Sequence, residues 1–187
     1  MILKLLMLLV LINLTLWIIY TFSVHPNSTP AISSMRDIVK VYEVLDSLCI
    51  KSGAHKVAIS KVCVKCDEPY AEILYDNNVE GEEKYALKYN RVPITQPIVN
   101  ELKIVSKGRV VAVTVADLPE GLKKELYTSE GLTYSETHKL LETEKYLYVL
   151  LVHYKIPIED IPNNDNIVIK QHLVKLMTLF GYHVSEI

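Results

Sequence analysis

YLYVLLVHY, residues 146–154, and RVVAVTV, residues 109–115, decide the fold of this chain. Both are short runs of β-branched, aliphatic and aromatic side chains without the polar stripe of a surface helix. They read as two central strands buried on both faces.

The segments on either side change period. HKVAISKVCV (55–64) and YAEILY (70–75) read as two strands joined by a turn containing Asp67, Glu68 and Pro69. Ahead of them, Ile38, Val41, Tyr42, Leu45, Leu48 and Cys49 recur at threes and fours after Ser33-Ser34 and stop at Gly53. That is an amphipathic helix with recognisable ends. Residues 76–92 read as loop with at most a short strand, and a short helix follows Pro97 and ends at Gly108. Between the two strong strands, 122–127 and 135–141 read as helical stretches. Ile169, Leu173, Leu176 and Phe180 step by four, three and four before Gly181, so a second long amphipathic helix closes the chain. The expected class is α+β: an antiparallel sheet of sequence-adjacent strands, with the two outer helices on one face.

The 187 residues carry 20 Lys+Arg against 22 Asp+Glu, and half of them are apolar. Disordered and collagen-like chains are thereby excluded. Setting aside Lys4, 19 basic residues face 22 acidic ones, a balance that argues against a nucleic-acid partner.

From Leu5 to Val24 there is no charged side chain, and a helix of that length covers the hydrocarbon core of a bilayer. Residues 1–24 therefore read as a membrane anchor contacting lipid, 25–34 (HPNSTPAISS) as a linker, and 35–187 as one domain. Lys4 and the amino terminus carry the positive charge on one side, which leaves the N-terminus cytoplasmic and the domain periplasmic or extracellular. The competing reading is a signal peptide cleaved at Thr21-Phe22-Ser23. Asn13, Trp17 and Tyr20 share one helical face and could join spans in a homo-oligomer.

The leading helix ending in Ser52-Gly53-Ala54, the pair HKVAISKVCV/YAEILY, the run SKGRVVAVTVADLP, YLYVLLVHY and the helix IVIKQHLVKLMTLFG together resemble a GAF/PAS-like sensor domain over about residues 35–182. The resemblance implies a small antiparallel sheet backed by helices, a ligand or partner surface on the opposite face, and a dimer packed through terminal helices. A single span followed by such a domain is also similar to the holin family of T-even phages, which implies an alternative function in lysis by oligomerisation in the inner membrane.

Few residues suggest chemistry. Cys63-Val64-Lys65-Cys66 has C-x-x-C spacing, yet strand side chains three apart face opposite ways, so the two thiols meet only if Cys66 belongs to the turn. A disulfide between two of the three cysteines, with Cys63 and Cys66 the candidate pair, stands beside packed thiols, a half metal site and a redox centre. Glu136, His138, Glu142 and Glu144 surround an imidazole with carboxylates, and the expectation is a solvated charged segment. His153, inside an apolar strand, reads as a satisfied interior or edge histidine. Of twelve tyrosines, Tyr75, Tyr85, Tyr89 and Tyr148 are the candidate ligand- or partner-binding residues, because a phenol ring offers an apolar face and a polar tip. No phosphate loop, dinucleotide turn or nucleophile elbow is present in the sequence. The expectation is a non-enzymatic binding module with no cofactor, no metal and no catalytic residue.

Overall fold

The computed structural model describes residues 35–181 apart from 78, 80, 163 and 164. The expected span, the linker and the Asn13/Trp17/Tyr20 face lie outside the described residues. Among the described residues, no helix is long and apolar enough to cross a membrane.

Helix α1 (Met35–Ser52) leads into β1 (Lys56–Cys63) and β2 (Tyr70–Asp76), then the single turn α2 (Tyr85–Lys88), β3 (Val92–Pro93) and α3 (Gln96–Ser106). There follow β4 (Val111–Thr114), α4 (Leu122–Ser129), the long hairpin β5 (Tyr134–Glu142) and β6 (Leu147–Tyr154), and α5 (Asp165–Leu179). The six strands form one antiparallel sheet in the order β3-β2-β1-β6-β5-β4. The α+β architecture with the outer helices on one face is therefore the one the sequence leads one to expect.

The alternation of β6 sorts the molecule into two layers. Tyr148, Leu150, Val152 and Tyr154 face one way and join Val41, Leu45 and Leu48 of α1 with Ile169, Leu176 and Phe180 at α5 in the main core. Leu147 and Val149 face the other way and meet Val62 of β1 and Leu102 and Val105 of α3 in a second, smaller cluster. Burial on both sides explains why this strand lacks a polar face in the sequence.

Two expectations are corrected. RVVAVTV is not central: β4 pairs only with β5 at the margin, and its residues are partly or fully exposed. β-branched richness reports a strand, not its place in the sheet. Residues 135–141 are not helical but lie in β5, which is flanked by β4 and β6 along its first half. Its burial, with Ser135 and Glu136 and then Leu140 and Leu141 buried as adjacent pairs, departs from the simple alternation that marks a strand in sequence.

Candidate functional site

The face of the sheet turned away from α1 and α5 is only partly roofed. α3 lays its buried stripe Val99, Leu102 and Val105 near one end, with Pro97 in its first turn and Gly108, at φ 80°, ending it. α4 and the turn α2 approach from the other side. Between roof and sheet lies a cavity of about 170 Å³. Its floor is mainly aliphatic, with Val62, Val149, Leu151 and Val111 beside Ser60 and Thr137, and its wall includes Tyr85, Tyr89 and Tyr127.

The placement of Tyr85 rests on the end of β2. Its backbone N–H donates to Asp76 Oδ2 at 2.7 Å, which fixes the start of α2 over the sheet. Lys56 Nζ lies 4.8 Å from the centre of the Tyr85 ring, so the cation sits against its π face. Tyr89, one turn on, meets Tyr85 edge-on at 5.2 Å and donates its hydroxyl to Glu130 Oε1 at 2.7 Å. Burial pushes the Glu130 carboxyl up, but hydrogen bonds from Lys88 and Tyr89 outweigh it and hold the group below its ordinary value. Glu101 is paired with Lys123 in the same way. The charges around the cavity are thus already compensated.

His153 is different. It occupies the sheet row between Lys56 of β1 and Ser135 of β5, is 4% exposed, and lines the cavity. The rings of Tyr127 and Tyr85 lie 5.3 and 5.9 Å from it. Neither Nδ1 nor Nε2 has a hydrogen-bond partner among the described residues. Burial, reinforced by the Lys123 cation, pushes its pKa down to about 4, so the ring is neutral at physiological pH. A neutral imidazole offers one donor and one acceptor, and leaving such groups unmet in an apolar interior is costly.

The structure therefore brings Tyr85 and Tyr89 to one cavity and sends Tyr75 and Tyr148 elsewhere. Those two pack with Phe180 in the main core, on the opposite side of the sheet. His153 is interior, as its strand suggested, but it is not satisfied. Glu136 and His138 are not a solvated pair: both are buried, and Nε2 lies 2.8 Å from Oε2. Glu142 and Glu144 are exposed. Cys63 ends β1, Cys66 lies in the following turn, and the two are joined in a disulfide with Cα atoms 5.6 Å apart. It lies away from the cavity lining. Glu101, Lys123, Tyr127 and Glu130 come to the site from α3, α4 and the residue after it, with no spacing signal in the sequence that links them.

The fold, a curled antiparallel sheet packed against helices, matches solved structures of sensor domains. A GAF domain of a two-component sensor histidine kinase from Bacillus halodurans superposes with a TM-score of 0.58 at 13% identity, covering 79% of this chain and 94% of that one. The fold is GAF-like. A photoproduct-state GAF domain from Synechocystis gives a TM-score of 0.59 at 10% identity over 78% of this chain and 94% of its own. The phycoerythrobilin-bound GAF domain of a cyanobacterial phytochrome gives 0.55 at 14% identity, over 80% and 87%. No family profile and no curated protein sequence matches the chain. The GAF-like likeness is thus one of fold, and the chemistry must be argued from the cavity.

Proposed function

We propose that this chain is a single-pass, membrane-anchored, non-enzymatic sensor module whose outward GAF-like domain binds a small, largely apolar ligand in the cavity over the sheet. The observation that carries the reading is a largely apolar, partly roofed cavity bordered by three tyrosines and a buried imidazole. Concave, mostly apolar sites with few convergent polar groups are the usual form of a small-molecule site. A binding role fits better than catalysis. His153 has no hydroxyl or thiol within hydrogen-bonding distance to activate, and the carboxylates nearby are held by lysines. The uncharged stretch from Leu5 to Val24 supports the anchor.

Binding is tested by ligand-observed NMR on the full chain against a library of monocyclic compounds. Hits that vanish in Val149→Phe, which places a ring in the cavity, are expected; a library without hits, or hits indifferent to that change, would overturn the reading. Anchoring is tested by fractionation: the chain should stay with the membrane in alkaline carbonate and leave the membrane potential intact on induction. Recovery as a soluble product beginning after Ser23 would remove the anchor. Collapse of the potential would favour the holin-like alternative.

A further inference from the structure

We propose that the corner joining α3 to β4 docks on an anionic lipid surface, with Ile104 and Val110 entering the headgroup region and Lys103, Lys107 and Arg109 meeting phosphates. The proposal rests on the anchored reading above and fixes how the domain lies against the membrane that holds it.

The chemistry of the corner is one-sided. Between Glu101 and Asp117 the chain has three basic residues and no acidic one. Lys103, Lys107 and Arg109 are all exposed, and none forms an ion pair among the described residues. Lys123 and Lys139, which bond to α3, are by contrast held by Glu101 and Glu142. Ile104 is 44% exposed and Val110 48%, on either side of the turn at Gly108. Aliphatic side chains ringed by long basic ones suit the boundary between headgroups and acyl chains, where the basic stems reach back to phosphate. A nucleic acid would use the cations and leave both aliphatics in water.

The corner also lies at the right end of the domain. α1 ends beside Pro162, just ahead of α5, and Ser47 meets His172 at 3.2 Å, so the two helices run antiparallel. Met35 therefore lies at the end of the domain that holds Phe180, whose ring is 6.3 Å from Tyr148 near the start of β6. Leu147 pairs there with Glu142, and Lys139 Nζ, on the same stretch of β5, donates to the Ser106 carbonyl at 2.7 Å. The corner and the residue at which the chain enters from 1–34 thus share one end. Residues 25–34 span at most about 35 Å, which keeps that end within reach of a bilayer. A tether makes the contact intramolecular, so individually weak contacts can hold it.

The test places the full chain in lipid nanodiscs of phosphatidylcholine, alone or mixed with phosphatidylglycerol, with nitroxide on a fraction of the headgroups. Methyl signals of Ile104 and Val110 should be attenuated about threefold more in the anionic discs than in the neutral ones. Val39, near the tether, should be attenuated in both, and Ile50 and Ile167, exposed at the far end, in neither. Combining Lys103→Glu, Lys107→Glu and Arg109→Glu, all at exposed positions where substitutions leave the fold intact, should return the corner to its neutral-lipid level. Attenuation at Val39 alone, or equal attenuation of the corner in both lipids, would overturn the docking and leave the anchor standing. Corner signals that respond to polyglutamate and not to anionic lipid would assign the patch to an acidic protein and overturn the proposal. A chain recovered soluble after Ser23 would remove the anchor instead. Sedimentation of that product with phosphatidylglycerol vesicles, lost in the triple variant, would then support the docking surface, and its absence would overturn it.

Discussion

Lys56 Nζ stands 3.5 Å from Asp76 Oδ2, and the two side chains are 1% and 0% exposed. The pair joins the first strand to the end of the second and sits directly beneath the turn that carries Tyr85. Asp76 Oδ1 has no hydrogen-bond partner among the described residues, so this carboxylate depends heavily on its lysine.

Removing that lysine should therefore be severe. Lys56→Met leaves the Asp76 charge buried and uncompensated, and is expected to lower stability by about 3–5 kcal/mol in urea denaturation. The double change Lys56→Met/Asp76→Asn should recover much of the loss, because the asparagine keeps an acceptor for the Tyr85 N–H without the charge. A double variant as unstable as the single one would show that packing of the lysine stem, not charge, dominates.

His153 imposes a pH dependence of known sign. Its pKa in the folded chain is about 4, below the ordinary 6.5, so the unfolded chain takes up protons first as pH falls. Its stabilising contribution is complete above about pH 6.5 and is lost progressively towards pH 4. Between pH 7 and pH 5 the loss should be about 2 kcal/mol by chemical denaturation. His172, also lowered by burial, adds in the same direction. His153→Phe should flatten this part of the curve, and an unchanged slope would show that the imidazole is not held neutral.

Tyr148 offers a substitution expected to stabilise. Its ring is fully buried in the main core, and its hydroxyl finds no hydrogen-bond partner among the described residues. Tyr148→Phe keeps the ring and removes the unmet group, and should raise stability by about 1 kcal/mol with no effect on ligand binding. A loss of stability would mean that an ordered water serves the hydroxyl.

Cysteine chemistry separates into two kinds. Cys63 and Cys66 form the disulfide, while Cys49 is a free thiol donating to the Ala54 carbonyl at 2.9 Å. Burial, helped by Asp46, pushes the Cys49 pKa to about 11 from 9.0. Thiol titration without reductant should find one group per chain. It should react roughly 100-fold more slowly in the folded chain than in denaturant, in proportion to its thiolate fraction.

How far the sequence reveals the structure depends on the distance over which each feature is determined. α1, α3 and α5 are readable because periodic apolar residues, glycine stops and a proline start are local signals. β1, β2 and β6 are readable from short bounded apolar runs. β4 reads as a strand but not as a marginal one, since neighbours in a sheet are chosen by the whole fold. β5 reads as helical because it carries Ser135, Glu136 and His138 into the interior, and nothing local in the sequence signals that burial. At the site, Tyr85 and Tyr89 are visible as aromatic candidates, whereas the cavity is assembled from residues of several strands and helices that no local pattern connects. The unmet imidazole of His153 is likewise a property of its surroundings, and nothing within its own strand announces it.

The margins of the sheet are the two-residue β3, which includes Pro93, and the four-residue β4. Unoccupied amides along a strand are what recruit foreign backbone, and proline has none to offer. Outer strands this brief offer another polypeptide little ladder to extend, which disfavours runaway self-association at β3 and β4. At those two strands a protein companion would meet side chains more than backbone, a grip that can be loosened without tearing backbone pairs apart.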